Sequence, residues 1–77
     1  MLSPAQVEWL LADLCTKLGF CLPPDQQQRL IDQTPESVAD FTHAVIVGEG
    51  LNPEMVDRKL YRRVEAMIAD AFARSEE

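Results

Sequence analysis

The single histidine of this 77-residue chain, His43, is the first place to look for proton-transfer chemistry. A general acid or base needs a hydrogen-bonding partner and a site shielded from water. Thr42 is its neighbour in sequence, but on a helix successive side chains point about 100° apart, and His43 falls on the polar side. Cys15, Cys21 and His43 are the softest metal ligands present, and they lack the number and spacing of a zinc site. Gly48-x-Gly50 follows a helical stretch instead of opening one after a strand, so it does not cradle phosphate. These residues predict no enzyme: no catalytic residue, metal, cofactor or small-molecule substrate.

Non-covalent chemistry is better represented. On a helical wheel Trp9 lies nearly opposite the apolar stripe of the first helix, beside Ala5, Ala12 and Thr16. Tryptophan is enriched at the buried centres of interfaces, so this face is a candidate contact surface. The alternative is that neighbouring helices cover both sides of the helix and make Trp9 a core residue. A second candidate is the basic cluster Arg58, Lys59, Arg62 and Arg63. It carries four of the seven bases in a chain of thirteen acids and net charge -6. It reads either as a solvated helix face tied by Glu54–Arg58 and Arg62–Glu65 pairs, or as a dock for an acidic surface, including that of a second copy.

Charge is unevenly spread. Residues 1–57 hold nine acids and two bases, whereas residues 58–77 hold five bases and four acids. Such a balance opposes general affinity for nucleic acid or anionic membranes. No apolar run approaches the ~20 residues of a membrane span, and no basic segment followed by an apolar stretch opens the chain. A cytoplasmic protein is expected, with Cys15 and Cys21 as free thiols.

Glu36-Ser37-Val38 is similar to the acidic-Ser-hydrophobic site of acyl carrier proteins, which are also acidic four-helix domains of about this length. That resemblance implies a phosphopantetheine arm on Ser37. The family's Gly-x-Asp-Ser-Leu is here Gln33-Thr34-Pro35-Glu36-Ser37-Val38, and the last helix is longer and more basic than the family's. Ser37 also has a structural role at the third position of the third helix.

The elements that must position these residues are marked by Ser3-Pro4, Thr34-Pro35 and Asn52-Pro53, each a helix-start signature. The polar side chain accepts from orphan amides, and proline fits the next position because its missing N–H had no partner there. Helices are predicted at about 4–18, 24–33, 35–47 and 53–74, the second short and the fourth longest. Ser3 and Gln6 form a capping box, with staples between Leu2 and Val7 and between Leu51 and Val56. Val7, Leu10, Leu11, Leu14, Cys15 and Leu18 supply one stripe, and Val38, Phe41, Thr42, Val45 and Ile46 another. Val56, Leu60, Tyr61, Val64, Met67, Ile68, Ala71 and Phe72 supply a third, broad one. Phe20 and Leu22 are expected to tuck under the bundle, and residues 75–77 to fray.

The sequence therefore predicts one all-α domain over residues 1–77, a four-helix bundle with helices 1, 3 and 4 as its core. Its expected function is non-catalytic protein binding, as an adaptor, inhibitor or immunity-type partner that masks a basic surface. The alternatives are a nucleic-acid module using the basic cluster and, more remotely, an acyl-carrier-like domain. The partner is another protein, including a second copy of the chain in a homodimer.

Overall fold

Ser3 begins the first helix as its side chain suggests. Its hydroxyl accepts from the Gln6 amide at 3.2 Å, and the Gln6 side chain accepts from the Ser3 amide at 2.8 Å. In the computed structural model, which describes residues 2–75, this cap opens α1 (Pro4–Leu18). Leu2 and Val7 are both buried, completing the staple. Gly19 ends α1 at φ 74°, a left-handed conformation in which a Cβ would be strained. The amides of Gly19 and Phe20 then return to the Cys15 and Leu14 carbonyls.

That reversal overturns one expectation. Cys15 and Cys21 are not free thiols but a disulfide, their Cα atoms 4.3 Å apart. The left-handed turn folds the chain back under the last turn of α1, which brings Cys21 to Cys15. Phe20 and Leu22 flank Cys21 in sequence, and both are buried, as expected. Leu22 packs so closely on the end of the third helix that a Cβ at Gly48 would lie 2.8 Å from its Cδ2.

Helix α2 (Pro24–Asp32) has no side-chain cap and buries only Leu30 fully. The Thr34 hydroxyl donates to the Leu30 carbonyl at 2.8 Å, closing α2 instead of opening the next helix. The cap of α3 (Val38–Gly48) is Ser37, which accepts from the Asp40 amide at 3.1 Å. The start expected at Pro35 therefore moves to Val38. The last start moves likewise, from Pro53 to the beginning of α4 (Arg58–Ser75). Asn52 closes only an isolated turn, accepting from the Glu54 amide at 2.9 Å. Asp57 then takes the amides of Lys59 and Leu60 at 2.8 and 3.2 Å and starts α4 afresh. Leu51 is left 40% exposed, and the helix that its staple was expected to open does not begin at Asn52. Ser75 is the last residue of α4, its hydroxyl donating to the Phe72 carbonyl; the rest of the tail expected to fray, residues 76–77, lies outside the described residues.

The architecture is an all-α four-helix bundle in which α4, the longest helix, packs against both α1 and α3, while α2 leans on α1. Val7, Leu14, Phe41, Val45, Ile46, Val64 and Ile68 are fully enclosed. Phe41 and Phe72 meet edge to face at 6.0 Å across α3 and α4. Thr42 is also fully buried, and its hydroxyl is satisfied by the Val38 carbonyl at 2.7 Å.

Candidate functional site

The chemistry-bearing side chains do not converge. His43 is exposed on α3, while its neighbour Thr42 points into the core. Among the described residues no three His, Cys, Asp or Glu side chains come together as a metal site would require. Ser37 is exposed, and its oxygen serves the amide that starts α3.

Trp9 is 69% exposed, so neither α2 nor α4 covers it. Ala5, Ala12 and Thr16 share its open face, with the Thr16 hydroxyl turned back onto the Ala12 carbonyl at 3.0 Å. The geometry adds a feature that the wheel alone did not give. On its other side Trp9 borders a groove of about 330 Å³ between α1 and α4, floored by Leu2, Leu10, Met67 and Ala71. One rim carries Asp13 and Lys17 of α1, the other Asp70 and Arg74 of α4. Asp70 and Arg74 satisfy each other at 2.9 Å. Met67 and Ala71 belong to the broad apolar arc of α4, and both are only half-buried. Their place in the arc was readable in the sequence, but not the gap opposite them.

Compared with protein-family models, curated proteins and solved structures, the chain matches none.

Arg58, Lys59, Arg62 and Arg63 are all exposed on the first two turns of α4. The expected Glu54–Arg58 and Arg62–Glu65 pairs are not formed, and the one ion pair among the described residues is Asp70–Arg74. Glu54 belongs to the isolated turn before α4, not to the helix, and so lacks the i,i+4 geometry such a pair needs. Around the α3–α4 connection the structure also leaves three large apolar side chains in solvent, which the sequence reading missed. Val47, Leu51 and Met55 are 51%, 40% and 82% exposed, and with Trp9 they are the large apolar side chains open to solvent. The signal was present in the sequence, since Leu51 and Met55 belong to the α3–α4 connection and Val47 falls outside the α3 stripe.

Proposed function

We propose that this chain is a non-catalytic protein-binding domain whose α1/α4 groove, bordered by Trp9, receives an apolar side chain from a partner surface of basic character. The observation that carries this reading is the exposed indole beside an apolar-floored groove. Isolated exposed apolar residues need no explanation, but a large aromatic next to a concave apolar floor has the anatomy of an interface anchor. The groove's own rims balance, Asp13 with Lys17 and Asp70 with Arg74, and it is residues 1–57 as a whole, with nine acids and two bases, that favour a basic partner over an acidic one. Masking of a cationic surface, as an inhibitor or immunity-type protein does, is the form of binding this supports.

No helix of the described residues is long and apolar enough to cross a membrane. The compartment bears on the state of the disulfide. Cytoplasmic residence would hold Cys15 and Cys21 reduced, whereas an intact bridge favours an oxidising compartment.

The test is a titration of the protein with a synthetic amphipathic helix that has leucines on one face and lysines on the flanks, monitored by Trp9 emission. Free protein should emit as a water-exposed indole, open to quencher, and should shift to the blue on binding. Trp9→Ala should weaken binding by about 2 kcal/mol, read by anisotropy of the labelled peptide. Emission already blue and quencher-protected in a monomer, or equal binding by Trp9→Ala, overturns the groove as the site.

A further inference from the structure

The two cysteines of the chain play no part in the groove. Their bridge joins the last turn of α1 to a point three residues ahead of Pro24, where α2 begins. Cys21 is exposed and Cys15 half-buried, so solvent reaches the bridge on the Cys21 side. What it fastens is the least secured helix. Among the described residues the fully enclosed apolar side chains come from α1, α3 and α4, and none from α2. A nine-residue helix is too short to persist in water without packing, and α2 has Leu30 as its one buried residue and no side-chain cap. Its start is held instead by the chain just before it. Gln27 Nε2 donates to the Leu22 carbonyl at 2.7 Å, and Leu22 seats against α3 at Gly48. Cys21 adjoins Leu22, so the bridge pins this fastening to α1.

We propose that the Cys15–Cys21 bridge is a redox latch on α2, opened by a dithiol reductant that attacks Cys21. One thiolate of the dithiol bonds to Cys21 Sγ as the S–S bond breaks, and Cys15 Sγ leaves as a thiolate that takes a proton from water. The second thiolate then attacks the reagent's own sulfur in that mixed disulfide. This closes a disulfide on the reductant and releases Cys21, which is protonated in turn, so two electrons pass from the dithiol to the two cysteines. With the link cut, residues 20–23 are held by the Gly19 turn and by the packing of Phe20 and Leu22 alone. Helix α2 then opens more often, while α1, α3 and α4 keep the enclosed core. The same packing returns Cys21 to Cys15, so a small-molecule disulfide restores the latch by the reverse exchange. The inference stands apart from the groove, whose floor and rims belong to Leu2, α1 and α4.

The experiment is amide hydrogen exchange of the full chain, oxidised and after treatment with dithiothreitol under native conditions. The α2 amides from Gln28 to Asp32 should exchange about fortyfold faster once the bridge is cut, the factor that freeing so short a loop supplies. In both forms they should stay faster than the amides from Val64 to Ile68 and depend little on urea, the mark of α2 opening by itself. Unchanged α2 exchange, or one common rate for α2 and α4, overturns the latch. Cys15→Ala with Cys21→Ala should match the reduced wild type and ignore dithiothreitol, and a response of that variant to reductant overturns it as well. Should the variant fail to fold, the two redox forms of the wild type decide alone. Excess reduced glutathione, quenched with acid, should leave its adduct on Cys21. An adduct on Cys15, or reduction only in denaturant, overturns entry at Cys21. Oxidised glutathione should return the reduced protein to slow exchange, and a failure to recover makes the bridge a static cross-link instead.

Discussion

Replacing Cys15 and Cys21 together with alanine removes the one covalent cross-link described in the chain while leaving the apolar side chains around it. The cysteines are six residues apart in sequence. For so short a loop, the chain-entropy relation gives about 8 cal/mol/K, or a little over 2 kcal/mol at about 25 °C. A domain of this length is held by about 4–12 kcal/mol in all, so the variant should still fold. Its unfolding entropy near 60 °C is about 0.16 kcal/mol/K, which converts the loss into a fall in Tm of about 14 °C. Phe20 and Leu22 are each only 5% exposed and remain available to pack, which keeps the effect from becoming a loss of structure. Differential scanning calorimetry of wild type and variant without reductant measures the shift. The intact mass of the wild type should show the loss of two hydrogens. A Tm change under about 3 °C, or a wild-type mass with both thiols present, refutes the reasoning.

The helix starts make a second prediction: Ser37→Ala and Asp57→Ala should each cost about 1 kcal/mol in urea unfolding, because each removes the acceptor for first-turn amides. Two neutral results would return the starts to Pro35 and Pro53. In the core, Ile68→Ala should cost about 2–5 kcal/mol and leave the domain marginal. Leu14→Asp, at a fully enclosed position, should abolish the helical circular dichroism signal, while Leu60→Asp, only half-buried, should retain it. Loss of fold in Leu60→Asp alone would mean that α4 is packed in a different register.

How much of this was legible in the sequence depended on competition between neighbouring caps. Ser3 had no rival, and α1 begins where Ser3-Pro4 places it. Thr34 and Asn52 each had a better-placed acceptor a few residues downstream, Ser37 and Asp57, and both helices moved to it. The apolar stripes survived the shift, because periodicity depends on the interior of a helix and not on its ends. The disulfide was not readable, since it depends on how far the Gly19 turn folds back, and spacing alone does not give the approach of two Cβ atoms. For the candidate site, the wheel placed Trp9 on the face away from the stripe. It could not say whether another helix lay there, which is a property of packing. The basic cluster was visible as composition, but the exposure of Leu51 and Met55 was not, because it depends on where α4 begins.

Leu2 and Arg74 line the same groove, so the two ends of the helical path come together beside Trp9. Any polypeptide joined ahead of Leu2 or beyond Ser75 would emerge at the lip of the proposed docking site. A flexible tether of a few residues holds its cargo at roughly millimolar effective concentration. An apolar segment with only millimolar affinity as a free peptide would then occupy the groove about half of the time. A tag or linker that carries such an apolar segment at either end would thus act as a built-in competitor, and removing it should unmask binding that the tagged protein conceals. Labels are better carried by the outer face of α2, where Asp25, Gln28 and Asp32 are exposed and form no part of the groove or the basic cluster.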